Sequence, residues 1–177
     1  ELMANFLNID KDADVRKREG AYQSYTFGEG EKKVKILLLD GRYFRDELKN
    51  NIVRSGQRYH KNETGDILGE AQWKWLESEL TNSDAAIHII GCGIQVVPVE
   101  HNYEKWANFP MAHQRLYNLL NQTQPSRAIL LSGDRHIAEI SSIQLDSLDY
   151  PLYDITSSGL THSYEKVDQN GEPNQYR

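Results

Sequence analysis

The chain has 177 residues, of which 38% are hydrophobic, and a formal net charge of -6. This length and composition predict one domain with a hydrophobic core, or a large piece of a bigger one, and exclude a disordered or fibrous protein. Because the net charge is negative, the chain has no excess of positive charge to attract a nucleic-acid backbone, and nucleic-acid binding by charge is not expected. Cys92 is the only cysteine, which excludes an intrachain disulfide and a cysteine-based zinc cluster.

The first predicted elements are a short helix near the amino terminus and a β-hairpin. Residues Tyr22 to Phe27 alternate between aromatic and polar side chains, and a glycine-rich turn leads into the apolar run from Val34 to Leu39. Because this second strand is nearly all apolar, we expect it to be buried on both faces. The polar segment from Asn50 to Gly69 is predicted to be a surface loop of about twenty residues.

Helices and strands alternate in the rest of the chain. Trp73, Leu76 and Leu80 are spaced i, i+3 and i+7, which predicts a helix with one apolar stripe. A second helix is predicted from Pro110 to about Gln124, because proline suits a first helical turn. Apolar runs predict strands, or extended chain, over Ala85–Ile90, Ile94–Val99, Ala128–Leu131, Ile137–Leu145 and Leu152–Ser157. The pattern is typical of an α/β layered sheet finished by paired β elements. No apolar run is long enough to cross a membrane.

The loop Asp40–Asp46 follows the second strand and contains two arginines. The guanidinium groups of Arg42 and Arg45 are candidates to clamp a phosphate group, a task for which their planar fork is suited. The alternative interpretation is that they form ion pairs with Asp40 and Asp46.

Two further loops are rich in polar residues. The segment from Glu100 to Pro110 combines His, Glu, Lys, Trp and Asn beside a buried run, which indicates either the rim of an active site or an ordinary solvated loop. The segment from Thr156 to Ser163 carries hydroxyl groups and a glycine. It is interpreted as an anion site made of backbone amides, or as a plain Ser/Thr turn.

The most informative loop is Ser132–His136, which leaves a buried strand and contains Asp134 and His136. Open α/β sheets bind ligands at the carboxyl ends of their strands, and a carboxylate with a neutral imidazole suits a divalent or trivalent metal ion. The alternative is that Asp134 caps the next segment while His136 packs or faces solvent.

Five motifs occur in order along the chain: Leu38–Asp46, Ile67–Leu76, Glu104–Pro110, Ser132–His136 and Thr156–His162. Together they touch most of the chain from about Gly20 to Ser163. In this order they resemble the motifs of the alkaline phosphatase D (PhoD-like) metallophosphoesterases.

The resemblance implies a metallophosphoesterase-type α/β/β/α sandwich that hydrolyses phosphate monoesters or diesters with bound metal ions, which are calcium, iron, manganese or zinc. Gly133-Asp134-x-His136 falls where such enzymes have their last metal-binding motif, commonly Gly-His-x-His, so Asp134 and His136 are the expected metal ligands. The candidate catalytic groups, which would offset charge on the phosphate or protonate the leaving oxygen, are His101, Lys105 and Arg135. The candidate substrate-binding residues are Arg42, Arg45, Asn108 and His162.

The chain also departs from the family pattern, because no motif for the earlier metal ligands is visible. Residues 1–177 therefore resemble a single partial domain, the carboxyl-terminal half of the catalytic domain, whose partner is the missing amino-terminal half. The beginning Glu1-Leu2-Met3, without an initiator methionine or a signal peptide, leads us to expect a processed or excised piece. The family implies export to the periplasm or the cell exterior.

Two alternatives to a metal-dependent phosphatase remain open. The chain could be a catalytically silent fragment or a noncatalytic module that lacks the amino-terminal metal ligands. A serine hydrolase that uses Ser157 or Ser158 with His136 or His162 is less favoured, since no Gly-x-Ser-x-Gly motif is present.

Overall fold

The computed structural model describes residues 2–50 and 58–163. These residues form three α-helices, which are α1 (Leu2–Phe6), α2 (Gly69–Thr81) and α3 (Pro110–Thr123). They also form eight strands: β1 (Gln23–Phe27), β2 (Val34–Leu38), β3 (Lys49–Asn50), β4 (Tyr59–His60), β5 (Ile87–Gly91), β6 (Ala128–Ser132), β7 (Ala138–Ile143) and β8 (Leu152–Ser157). Residues 51–57 of the predicted loop and the polar tail after residue 163 lie outside the described residues.

Six strands form one sheet in the order β1-β2-β5-β6-β8-β7, and β3 pairs with β4 in a separate two-stranded sheet. Strands β2, β5, β6 and β8 are parallel, whereas the edge strands β1 and β7 run antiparallel to their neighbours. The predicted hairpin is therefore confirmed as β1 and β2. The short β3–β4 pair is a correction, because it places regular structure inside the segment predicted to be a loop.

The two longer helices lie where their sequence patterns predict them. In α2, Trp73, Leu76 and Leu80 are buried, as the apolar stripe requires. The neighbouring Gln72 is also fully buried, and its side-chain amide forms hydrogen bonds with both the backbone N–H and the backbone C=O of Asp40, at 2.8 and 2.9 Å. Helix α3 begins at Pro110, and its last turn is followed by a residue in the left-handed conformation.

Both helices cover the same face of the sheet. The chain passes from β2 through α2 to β5, and from β5 through α3 to β6, so each new strand is added on the same side of the previous one. Since such crossovers are right-handed, two that advance in one direction place their helices on one face. There the helices share one core with the inward strand residues Leu37, Ile90, Leu130 and Leu152.

The opposite face of the sheet is apolar and largely exposed. Its partly or fully exposed side chains come from every strand of the sheet and include Tyr25, Phe27, Leu38, Ile87, Leu131, Ile140 and Tyr153. The expectation that the second strand is buried on both faces is thus wrong, because only Leu37 in β2 is buried. We refer to these seven residues as the uncovered face.

The apolar run after β5 is buried in its first half and does not form a strand. The side chains of Ile94, Gln95 and Val96 are inaccessible to solvent or nearly so. The backbone N–H groups of Val96 and Val97 donate to the Asp154 carboxylate of β8, at 2.8 and 3.0 Å, instead of to a neighbouring strand. This segment leads the chain from the sheet core to the loop that begins at Glu100. Within residues 2–50 and 58–163, no helix is long and apolar enough to cross a membrane.

Candidate active site

Four polar loops gather at the carboxyl ends of the parallel strands. Residues 39–46 follow β2, residues 92–110 follow β5, residues 133–137 follow β6 and residues 158–163 follow β8. Parallel strands end at the same edge of a sheet, so this topology brings together the loops that the sequence singles out. The geometry of this edge determines what each candidate residue contacts.

The loop after β6 holds both expected metal ligands in an unusual backbone conformation. Asp134 and His136 have φ angles of 63° and 56°, in the left-handed region that residues other than glycine seldom adopt. Such strain persists only where the surrounding structure holds it, and it is concentrated at functional sites. The Ser158 hydroxyl, from the loop after β8, accepts the backbone N–H groups of Arg135 and His136 at 3.1 and 2.9 Å.

Arg42 connects the loops after β2, β5 and β6. Its Nη1 donates to both carboxylate oxygens of Glu104, at 2.9 and 2.7 Å, and its Nη2 donates to Asp134 Oδ2 at 3.3 Å. Arg45 lies on the same carboxylate, with Nε 3.4 Å from Glu104 Oε1. Partial burial would lower the pKa of Arg42, but Glu104 and Asp134 raise it overall, so the guanidinium remains charged.

The alternative partners of these arginines, the carboxylates of Asp40 and Asp46, are used elsewhere. The Asp40 carboxylate accepts three backbone N–H groups, one of them that of Arg42 itself, and the Asp46 carboxylate accepts the N–H of Asp66. Burial raises the pKa of Asp40, but these hydrogen bonds outweigh it and lower the pKa overall. Asp40 therefore fixes the start of the loop, and Glu104 holds the arginine side chains.

Hydrogen bonds between its own residues hold the rim loop after β5. Lys105 is only 3% exposed, and its ammonium donates to the backbone carbonyls of His101 and Tyr103 at 2.6 and 3.3 Å. His101 is equally buried, and its Nδ1 accepts the N–H of Tyr103. The Asn108 side chain accepts the N–H of Lys105 at 2.9 Å and caps the short 3₁₀ turn Trp106–Asn108. The structure thus places His101, Lys105 and Asn108 in the support of the rim.

Arg135 is also buried and points into a polar network beneath the loops. Its Nε donates to Gln95 Oε1 at 3.2 Å, and its guanidinium carbon lies 4.5 Å from the centroid of the Tyr103 ring. The other end of the Gln95 amide donates to Glu139 Oε2 and Thr156 Oγ1, at 3.0 and 2.7 Å. The network joins the segment after β5 to β7 and β8.

Asp154 lies next to this network, fully buried on β8. Besides the two N–H groups of the segment after β5, its carboxylate accepts the hydroxyl of Ser132 at 2.6 Å. Burial raises the pKa of Asp154 overall, although these three hydrogen bonds lower it in part. Sequence reasoning did not single out this residue. The signal was nevertheless present, because Asp154 occupies an inward position between Leu152 and Thr156 in an alternating strand.

The last expected site residue is His162, which lies in the loop after β8. Its ring and that of His136 meet edge to face, with centroids 5.2 Å apart. Asp134, by contrast, faces Arg42, and its side chain is 51% exposed. The edge therefore combines the accessible carboxylate of Asp134 with two neighbouring imidazoles and two guanidinium groups. Sequence reasoning did not assign roles to Glu104 and Gln95, and it considered Ser158 as a candidate nucleophile, whereas these three residues hold the arrangement.

The donor set fits a metal ion only in part. Calcium, iron, manganese and zinc differ in their preference for an aspartate oxygen or an imidazole nitrogen as a ligand. Among the described residues, however, no group of three or more His, Cys, Asp or Glu side chains is arranged to hold a metal ion. Asp134 and His136 would thus supply a fraction of a coordination shell, and further ligands would have to come from elsewhere.

Three comparisons with known proteins bear on this site. The search of curated proteins finds no match. Among solved structures, the chain is similar to one described as "Structure of PhoD", with a TM-score of 0.64 and 19% sequence identity over 80% of this chain and 29% of that chain. This likeness shows the α/β fold, and the chain spans less than a third of the length of that protein. The family model described as "PhoD-like phosphatase" matches residues 4–169. The chain therefore belongs to the PhoD-like phosphatase family, a family of phosphoester hydrolases.

Proposed function

We propose that the protein containing this chain hydrolyses phosphate monoesters or diesters in a metal-dependent reaction. The observation that carries the proposal is that Asp134 and His136 lie in one strained loop at the carboxyl edge of the sheet, where the Asp134 carboxylate contacts the guanidinium of Arg42. A carboxylate and an imidazole beside a charged guanidinium suit the binding of a metal ion and a phosphate group in one place.

We propose Asp134 and His136 as the metal ligands that this chain contributes, for calcium, iron, manganese or zinc. When bound, such an ion supplies Lewis-acid chemistry to a phosphoryl group. The role of this chain is to fix the positions of the two ligands, since the loop that carries them is tied to the end of β8. Metal binding must also compete with the ion pair between Asp134 and Arg42.

We propose Arg42 and Arg45 as the residues that bind the phosphate group of the substrate. Glu104 holds both guanidiniums, so that little side-chain freedom remains to be lost when an anion binds. The ring of His162 lies against that of His136, and we propose His162 as a further substrate contact. The catalytic roles of His101, Lys105 and Arg135, and substrate contact by Asn108, stay predictions. The burial of these four residues favours a role in supporting the loops that carry them.

We also propose that the chain is the carboxyl-terminal half of a larger catalytic domain. The uncovered face is apolar across the whole sheet, and a sheet of this kind is normally packed on both faces. A second sheet from the rest of the same protein would cover it and bring the remaining metal ligands to the carboxyl edge. Export of that protein to the periplasm or cell exterior is proposed from the family alone.

The test uses the complete protein, first stripped of metal with a chelator and then supplied with calcium, iron, manganese or zinc. We expect hydrolysis of para-nitrophenyl phosphate or its bis ester only after metal addition, and loss of turnover in Asp134→Ala and His136→Ala. His60→Ala is the matched control, because His60 is an exposed histidine on β4 that is not among the candidate site residues. Undiminished turnover by His136→Ala would contradict the ligand assignment, and absence of turnover with every metal would favour a noncatalytic module.

The isolated 177-residue chain provides a second arm of the test. We expect it to bind metal weakly and to have little activity, because two ligands are fewer than a stable site needs. Robust hydrolysis by this chain alone would show that no further ligands are required.

A further inference from the structure

Ser158, which follows β8, forms hydrogen bonds with peptide groups of the loop that carries the expected metal ligands. Ser158 is the first residue after β8, and its Oγ accepts the N–H groups of Arg135 and His136 at 3.1 and 2.9 Å. Its own backbone N–H donates to the carbonyl of Ile137 at 3.2 Å. One residue thus forms three hydrogen bonds to three successive residues of the loop after β6.

These hydrogen bonds act where the loop is least stable by itself. Asp134 and His136 both occupy the left-handed region, and the two N–H groups bonded to Ser158 belong to His136 and to the residue between them. A loop with two such residues would relax toward ordinary φ values unless its peptide groups were held. The Ser158 hydroxyl supplies the acceptor that keeps the peptides of Arg135 and His136 in this orientation.

The same contacts bear on the serine hydrolase alternative. An oxygen that accepts two N–H groups has both lone pairs engaged. A serine nucleophile needs a free lone pair and a base that receives its proton. The hydrogen bonds of Ser158 therefore suit a structural acceptor and not an attacking group.

We propose that Ser158 is a positioning residue for the metal site: its hydroxyl sets the directions of the Asp134 and His136 side chains by fixing the peptides between and beside them. The inference rests on the proposed metal-dependent function. Partners that orient metal ligands commonly change metal affinity ten- to a hundredfold when they are removed. Ser158 is expected to have an effect of about tenfold, since it acts through the backbone and not on a ligand atom.

The experiment compares Ser158→Ala with the wild type and with Ser158→Thr, which keeps the hydroxyl, in the complete protein. Ser126→Ala is the matched control, because Ser126 is an exposed serine just before β6, at the opposite end of that strand. Affinity for Mn²⁺ is measured by titration calorimetry after chelation. We expect about tenfold weaker binding in Ser158→Ala, substantial recovery in Ser158→Thr and no change in Ser126→Ala.

Amide hydrogen exchange provides a readout that does not depend on metal or on activity. In the metal-stripped wild type we expect protection of the Arg135 and His136 amides. In Ser158→Ala these two amides should exchange about tenfold faster or more, while those of Leu130 and Ile155 in the neighbouring strands keep their rates. Fast exchange of both amides in the wild type would overturn the proposal even if the alanine variant did not fold.

The outcomes separate this inference from the proposed function. If the wild type binds Mn²⁺ and Ser158→Ala binds it equally well, the positioning role is wrong while the metal site stands. If the wild type binds no added metal ion, the proposed function fails, and the positioning role fails with it. Covalent labelling of Ser158 by a fluorophosphonate would likewise overturn the assignment, because it would identify the hydroxyl as a nucleophile.

Discussion

His113 should make the folded protein sensitive to mild acid. The side chain lies on α3 against Tyr117, with ring centroids 4.5 Å apart and an interplanar angle of 50°, and its Nε2 is buried without a hydrogen-bond partner among the described residues. Burial lowers the pKa of His113 from 6.5 to about 4, although a hydrogen bond with the Val96 backbone opposes this in part. Protonation would place an unpaired charge in this environment, so the folded protein disfavours it.

The sign and size of the effect follow from this difference in pKa. A group whose pKa is lowered by folding contributes stability that is fully present above its unfolded pKa and is lost as the pH falls through its folded pKa. For His113, with values of 6.5 and about 4, the complete loss is about 3 kcal/mol, of which about 2 kcal/mol is lost between about pH 7 and about pH 5.

The assay is urea unfolding at those two pH values, followed by tryptophan fluorescence, for the wild type and His113→Phe. Phenylalanine keeps a ring against Tyr117 and cannot be protonated. Between the two pH values, the unfolding free energy of His113→Phe should therefore fall by about 2 kcal/mol less than that of the wild type. Contributions from the other titrating groups cancel in this difference. His60→Gln, which changes an exposed histidine, should behave like the wild type. Equal losses in the wild type and His113→Phe would refute the reasoning.

Three further predictions address the network, the arginine pair and the uncovered face. Asp154→Ala should lower the unfolding free energy by about 3 kcal/mol or more, measured in urea, because two buried donors and one partly buried donor lose this acceptor; a loss below about 1 kcal/mol would contradict this. Arg42→Ala should raise the KM for para-nitrophenyl phosphate about tenfold with a smaller change in kcat, and the reverse pattern would argue against a binding role. Leu131→Asp should destabilise the complete protein by about 2 kcal/mol or more. Met111→Asp should be tolerated on the outer side of α3, where Met111 is 65% exposed, against 42% for Leu131. Equal melting temperatures for the two aspartate variants would indicate that the face stays open.

The helices and the hairpin were predictable because their signals are local. The i, i+3, i+7 spacing around Trp73 and the proline at position 110 define α2 and α3 within a few residues. The edge at which the chemistry gathers was predictable as well, since each polar loop directly follows an apolar run of strand length. Parallel pairing of those runs then brings the loops together.

The contacts within the site were not predictable, because they depend on pairs far apart in the sequence. Arg42 and Glu104 are 62 residues apart, and the closer Asp40 was an equally reasonable partner until the structure showed its carboxylate occupied by backbone N–H groups. The burial of β2 was misjudged for another reason. An apolar strand predicts that both of its faces are buried, but it does not indicate which polypeptide segment covers each face.

The amide of Gln72 has a consequence for how the arginine loop is held. A side-chain carboxamide has the same donor and acceptor as a peptide unit, and Gln72 presents both to Asp40, as a neighbouring strand would. The side chain of Gln72 thereby continues the hydrogen-bonding pattern of the sheet by one residue beyond the end of β2. A rotation or shift of α2 by one residue would remove these two hydrogen bonds, so the direction in which Arg42 leaves the sheet depends on the rotation of α2.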